Sequence, residues 1–222
     1  MTTHQELSGS TDEQFLERMI STYSQRFDES YWNFFSAHVK SRLPEQPVVI
    51  DVGCGPGLFL RDVGERFPKA TLYGYDLTPA MVEYANNATY TGAKPVTTLH
   101  NIATTPIPLA DHSVHLVAIA ATLHVLDDPL ETLAEFRRLL APGGSLLLYD
   151  WTRSPLQTYL ESRTGVFDDS PEARKSQFRM FPFHNKYTTE DWTWLLERGG
   201  FTMQATEQLR PTFRAFLASV SV

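Results

Sequence analysis

Hydrophobic positions along this 222-residue chain follow two rhythms that alternate. Val48-Val49-Ile50-Asp51-Val52, Ala70 to Tyr75, Pro95 to His100, Val114 to Ala120 and Leu146 to Tyr149 are short, largely apolar runs. Such runs read as strands buried on both faces. Between them, Leu58 to Phe67, a segment opening at Thr78-Pro79, and Pro129 to Leu140 carry apolar residues at helix spacing. The punctuation agrees. Pro68 stops the first helix, and Thr78 is placed to cap the second, with Pro79 where a missing N–H costs nothing. Arg137 and Arg138 sit in the last turns of the third, favourably for its dipole. Pro142-Gly143-Gly144 ends it.

Alternating strands and helices predict an α/β fold, a mostly parallel sheet with helices on both faces and ligands at the carboxyl ends of its strands. Upstream, Phe15, Met19, Ile20 and Tyr23 fall at helix spacing, followed by an aromatic cluster of Phe27, Tyr31, Trp32, Phe34 and Phe35. Residues 1 to 10 are polar and read as disordered. After Trp151 the rhythm breaks into a mixed-charge stretch ending in Phe178, Met180, Phe181 and Phe183. Thr188-Thr189-Glu190-Asp191 then starts a helix that Gly199-Gly200 stops, and two strands follow near 202–209 and 212–220. No repeat or long linker divides the chain. One domain, 1–222, is expected: an N-terminal helical lid (1–46), a ligand-binding core (47–150), a helical insert (151–187) and a C-terminal helix with strands (188–222).

Composition narrows the partners. With 26 acidic against 19 Lys and Arg residues the net charge is -7, and no basic stripe stands out, so nucleic acid is an unsuitable ligand. The lone Cys54 cannot form an internal disulfide. With no apolar leader and no run long enough to cross a bilayer, this predicts a cytoplasmic protein without a membrane partner, monomeric or homodimeric. No close-spaced His/Cys/Asp set is visible along the chain, and no metal is expected.

Asp51-Val52-Gly53-Cys54-Gly55-Pro56-Gly57 is the most informative segment. Glycines directly after a strand let a ligand approach the backbone, and the following helix offers unpaired N–H groups. A second acid, Asp76, ends the next strand, where a carboxylate can accept hydrogen bonds from both hydroxyls of a ribose. The dinucleotide fingerprint G-x-G-x-x-G is incomplete, because position 58 is Leu. Asp51 would also repel a pyrophosphate but attract a ligand bearing a sulfonium and an ammonium. The sign of the charge favours S-adenosylmethionine over NAD.

The stretch from Val48 to Asp150 resembles the class I S-adenosylmethionine-dependent methyltransferases, in particular their small-molecule branch. The matching pieces are Asp51 to Gly57, Gly74-Tyr75-Asp76-Leu77-Thr78-Pro79-Ala80-Met81, Pro108 to Ser113, Leu123-His124-Val125-Leu126-Asp127-Asp128-Pro129, and Leu140 to Gly144. The resemblance implies a Rossmann-like seven-stranded sheet whose last strand is antiparallel. It also implies that Gly53, Cys54, Gly55 and Gly57 line the methionine part of the cofactor and that Asp51 supports its amino group or the loop. Asp76 would hold the ribose, Leu77 and Met81 the adenine, and Asn101, Ile102 and Ala120 would complete the pocket. Asn101 and His115 both stand where the family usually has an acid.

The expected reaction is methyl transfer to a small aromatic or lipophilic acceptor. Bringing nucleophile, methyl carbon and sulfur into line is worth roughly 7–11 kcal/mol. A base would add to that if the acceptor carries a proton, and His124, Asp150 and His184 are the candidates. Tyr23, Tyr31, Trp32, Trp151 and Phe181 are candidates for an apolar acceptor pocket that excludes water. The alternatives are aminopropyl transfer or a cofactor-assisted rearrangement in the same pocket, and a non-catalytic scaffold subunit. A dehydrogenase ranks below these on the charge argument.

Overall fold

The computed structural model describes residues 3–164 and 170–221. Residues 165–169 of the predicted insert lie outside the described residues, as do positions 1, 2 and 222. One seven-stranded sheet organises the rest, in the order β3-β2-β1-β4-β5-β7-β6. Its strands are β1 (Val48–Val52), β2 (Thr71–Asp76), β3 (Val96–Leu99), β4 (Val114–Ala120), β5 (Leu140–Trp151), β6 (Phe201–Arg210) and β7 (Phe213–Val220). The first five are mutually parallel, while β7 runs antiparallel to both β5 and β6. This is the expected Rossmann-like arrangement with an antiparallel last strand.

β5 starts earlier than its periodicity suggests. Val114 pairs with Leu140 and Leu116 with Ser145, so residues 141–144 bulge out of the ladder, with Gly143 at φ 79°. The Pro-Gly-Gly turn is real, but it lies inside the strand.

Among the described residues, ten α-helices surround the sheet. α1 (His4–Ser8), α2 (Asp12–Ser21), α3 (Tyr23–Arg26) and α4 (Glu29–Phe34) precede β1. α5 (Leu58–Arg66), α6 (Pro79–Asn87) and α7 (Pro129–Leu139) are the crossovers. α8 (Leu156–Thr164), α9 (Pro171–His184) and α10 (Thr189–Arg198) follow β5. α10 starts on a capping box, with Thr188 accepting from Asp191 N and Asp191 accepting from Thr188 N. Thr78 makes no side-chain cap for α6, contrary to its expected role; its hydroxyl accepts from Gln5 Nε2 instead, at 3.0 Å.

The N-terminus corrects a second expectation. Residues 4–8 form a helix, because Thr3 and Glu6 close a capping box and Gly9 ends the turn at φ 70°. Composition alone missed it because the capping signal spans only four residues. α1 lies against α9, where Arg179 Nη1 donates to Leu7 O at 3.0 Å.

Apolar residues on successive strand positions face opposite layers. Ile50, Val52, Val117, Ile119, Leu146 and Leu148 pack against Phe136 of α7 and Trp192 of α10. Val49, Leu116, Ala118, Leu147 and Leu217 pack against Tyr31 and Phe34 of α4 and Leu60 of α5. Residues 29–39 are therefore sheet cover, and only the chain before them reaches the carboxyl ends of the strands. His115, unread in the sequence, accepts from Val48 N through Nδ1 at 3.0 Å and fixes the start of β1.

α5 approaches the loop before β3 closely. A Cβ on Gly64 would run into Ala93 O, and one on Gly92 into Gly64 O. Helix propensity favours alanine over glycine by about 1 kcal/mol, but here backbone would have to move. We expect Gly64→Ala to destabilise by about 1–3 kcal/mol, the usual range for overpacking, measured as a lower midpoint in urea at unchanged m-value.

Candidate active site

The loop after β1 hangs from the end of β2. Gly53 N and Cys54 N both donate to Tyr75 O, at 2.7 and 3.1 Å. Gly55 N donates to Asp76 Oδ2 at 2.8 Å, and Thr78 N to Asp76 Oδ1 at 2.8 Å. One carboxylate thus ties the glycine loop to the start of α6. Gly53 and Gly55 have φ of 72° and 52°, a region costly for other residues. A Cβ on Gly53 would also collide with Thr122.

The loop floors a cavity of about 370 Å³ at the carboxyl ends of the strands. Of the residues expected around the cofactor, Asp51, Gly53, Cys54, Gly55, Asp76, Leu77, Met81, Asn101, Ile102 and Ala120 line it. Gly57 does not. Its Cα faces Ala85 and Tyr90, where a Cβ would come within 3.1 Å of each, so it serves the packing of α5 on α6. Asn101 accepts from Ala103 N at 3.0 Å, which leaves its Oδ1 one further lone pair for a ligand.

The far end of the cavity is aromatic. Of the acceptor-pocket candidates, Tyr23 and Trp151 line it, joined by Phe27, Tyr149 and Phe213. Tyr31, Trp32 and Phe181 do not. Tyr31 is 2% exposed in the core beside Phe59 and Tyr149. Trp32 lies flat against Phe59 with Arg66 over its ring. Phe181 packs on Tyr159. Helix spacing identified the aromatics but not which side of each helix meets the cavity.

Three arginines that were not anticipated line the cavity, Arg18, Arg26 and Arg210, and the last two bear on its aromatic end. Among the described residues neither Arg26 nor Arg210 has a carboxylate within ion-pair distance. Arg26 is held by Thr22 Oγ1 and Met19 O, both at 3.1 Å, and burial lowers its guanidinium to about 10. The Tyr149 hydroxyl is buried without a hydrogen-bond partner among the described residues. An arginine ending a short aromatic helix was the only available signal.

His124 and Asp150 form a buried pair. The ring Nδ1 lies 2.7 Å from Asp150 Oδ1, and His124 N donates to Oδ2 at 3.3 Å. Neither residue lines the cavity; His184 does. His184 stacks on Trp151 at 4.0 Å between ring centres, and its Nδ1 is 2.9 Å from Tyr159 Oη. His4 of α1 completes a group of three imidazoles. Residues 4, 124 and 184 are too far apart in sequence for spacing to reveal them as a cluster.

The methyltransferase domain family matches residues 50–148 of this chain. A malonyl-[acyl-carrier protein] O-methyltransferase of Hahella chejuensis is 37% identical over 99 residues, 45% of this chain and 34% of that protein. A trans-aconitate 2-methyltransferase of Methylobacterium radiotolerans is 34% identical over 113 residues, 50% of this chain and 41% of the relative. Among solved structures, the plantazolicin methyltransferase in complex with SAH superposes with a TM-score of 0.74 at 16% identity, covering 98% of this chain and 93% of that one. A SAM-dependent methyltransferase from Aquifex aeolicus gives 0.68 at 19% identity, covering 94% and 98%. Residues 50–148 match a methyltransferase domain, and the chain shares its fold with S-adenosylmethionine-dependent methyltransferases. The chain spans only about a third to under a half of the length of these curated relatives.

The cavity of this methyltransferase domain fits its cofactor. Asp51 is 4% exposed, and no Lys or Arg pairs with it or with Asp76 among the described residues. Burial pushes the Asp51 carboxyl up to about 8, and the neighbouring Asp76 adds to the rise. Burial also raises Asp76, opposed by its hydrogen bonds from Thr78 and Gly55. The free site is therefore short of positive charge. A bound ammonium and sulfonium would supply it and favour the ionised carboxylate.

Asp51 makes stability depend on pH. Between the unfolded carboxyl value of ~4 and the folded value of about 8, the folded state holds a proton that the unfolded state has released. Its contribution is thus lost as pH rises through that window. We expect the ligand-free protein to lose stability from about pH 4 towards pH 8, and Asp51→Asn to flatten this part of the profile. Chemical denaturation across pH would reveal an unchanged slope if Asp51 were not responsible.

Proposed function

We propose that this chain transfers a methyl group from S-adenosylmethionine to a small acceptor, aromatic or lipophilic in body, held at the aromatic end of the cavity. The observation that carries this reading is one continuous cavity joining the two ends. A glycine loop, the buried Asp51 and the half-buried Asp76 lie at one; Tyr23, Phe27, Tyr149, Trp151 and Phe213 lie at the other. When bound, S-adenosylmethionine supplies a sulfonium methyl as the electrophile.

Asp76 would accept the ribose hydroxyls while still holding Gly55, and Asp51 would face the cationic part of the ligand. The aromatic side chains orient a flat acceptor and exclude water. Arg26 and Arg210 favour an acceptor that also carries an acidic group, which would neutralise two otherwise unpaired guanidinium groups. The relatives named for malonyl-[acyl-carrier protein] and trans-aconitate are consistent with that choice. His184 faces the cavity and is the better-placed proton acceptor; His124, oriented by Asp150, stands behind it. Among the described residues no helix is long and apolar enough to cross a membrane, in keeping with a cytoplasmic enzyme.

Calorimetry should show binding of S-adenosylmethionine and S-adenosylhomocysteine and none of NADH. Asp76→Ala should weaken S-adenosylmethionine about tenfold or more, the loss of hydrogen bonds to a charged group being worth about 1.5–3 kcal/mol. Unchanged affinity would remove Asp76 from the ribose site. In a screen of phenols, amines and carboxylic acids followed by mass spectrometry, methylated products should come from aromatic acids. Arg26→Met should raise KM for those acids more than for neutral acceptors.

A further inference from the structure

We propose that His4, His124 and His184 bind a first-row transition-metal ion through three imidazoles, with a fourth position open to the cavity. The three come from separate elements: α1, the turn Leu123–Val125, and the end of α9. One ligating nitrogen from each lies within 4.8 Å of the other two. Ring centres are 5.2 Å apart for His4–His124, 5.3 Å for His4–His184 and 5.6 Å for His124–His184. Three imidazoles arranged tetrahedrally at about 2.0–2.1 Å from a metal would set their ring centres about 5 Å apart. The rings already stand at that spacing, and turning them about their side-chain bonds brings the nitrogens inward.

The surrounding hydrogen bonds select which nitrogen is offered. His124 Nδ1 is engaged by Asp150 at 2.7 Å, the carboxylate–histidine arrangement that orients metal ligands and raises their basicity. Its Nε2 is buried and has no hydrogen-bond partner among the described residues, on a side chain 1% exposed. Leaving a buried nitrogen unmet is destabilising, and a metal would satisfy it. His184 Nδ1 is likewise placed against Tyr159 Oη. An all-imidazole set suits zinc, cobalt, nickel or copper and not magnesium or calcium.

His4 and His184 line the cavity, so the open position faces it. The ion would join α1 to α9 and to the turn after β4, beyond what the Gln5–Thr78 and Arg179–Leu7 hydrogen bonds provide. The site stands on histidine geometry and does not depend on the methyl-transfer reading; with an ion bound, His184 would be a ligand and no longer the proton acceptor named above.

The test titrates zinc(II), and separately cobalt(II), into metal-free full-length protein carrying no affinity tag. A chromophoric chelator serves as competitor for zinc. One equivalent should bind at micromolar affinity or tighter, and cobalt should give the visible bands of a tetrahedral site. His4→Ala lies in a short surface helix and leaves the core intact; it should weaken binding by about tenfold or more, as should Asp150→Asn through His124. His38→Ala, away from the cluster, should change nothing. Zinc should also slow hydrogen exchange of the amides of residues 4–8. Absence of binding below millimolar zinc, equal affinity in His4→Ala, or loss of the site in His38→Ala would each overturn the proposal.

Discussion

The Asp76 carboxylate is the constraint on which the site depends. One oxygen holds Gly55 N and the other Thr78 N, so a single side chain sets the loop after β1 and the entry to α6 together. Tyr75 O, one residue earlier, holds Gly53 N and Cys54 N. Three consecutive N–H groups of the loop are thus committed to the end of the neighbouring strand before any ligand arrives. The floor of the cavity is preorganised, which lowers the entropy lost on binding. The same arrangement leaves two acids, Asp51 and Asp76, close together in a poorly solvated place, a strain that a cationic ligand relieves.

Much of this was legible in the chain. Strand cores such as Val48–Val52 and Val114–Ala120 are apolar at all but one position, Asp51 and His115 respectively, because both faces are covered, and that pattern has few other readings. The loop glycines and Asp76 were legible because the backbone geometry they serve admits few residues. Lining of the cavity was less so. Tyr31 and Trp32 share composition and spacing with Tyr23, yet the turn at Phe27 and Asp28 redirects α4 onto the sheet. Arg26, Arg210 and the three histidines converge only through tertiary contacts from distant segments, and no local period encodes such convergence. Thr78 shows a finer limit: a residue of the right type at a cap position gave its hydroxyl to Gln5 instead.

The cavity is electrically divided. Acids sit beneath the loop and guanidinium groups stand among the aromatics, with histidines at the margin under α1 and α9. Opposite signs at the two ends would orient a cationic donor and an acceptor of the proposed acidic kind head to head, since each reversed placement brings like charges together in a medium that screens them weakly. This division supports orientation by long-range charge, with shape completing it at contact.

Gly64 and Gly92 meet backbone to backbone where α5 passes the approach to β3. Each tolerates the other only because both lack a side chain. A larger residue at one position cannot be offset by a change at the other, because each replacement presses on main-chain atoms of the facing segment: those of Ala93 for Gly64, and those of Gly64 and Glu65 for Gly92. Both sites should therefore stay glycine independently wherever the helix keeps this placement, a constraint of packing that carries no information about the acceptor.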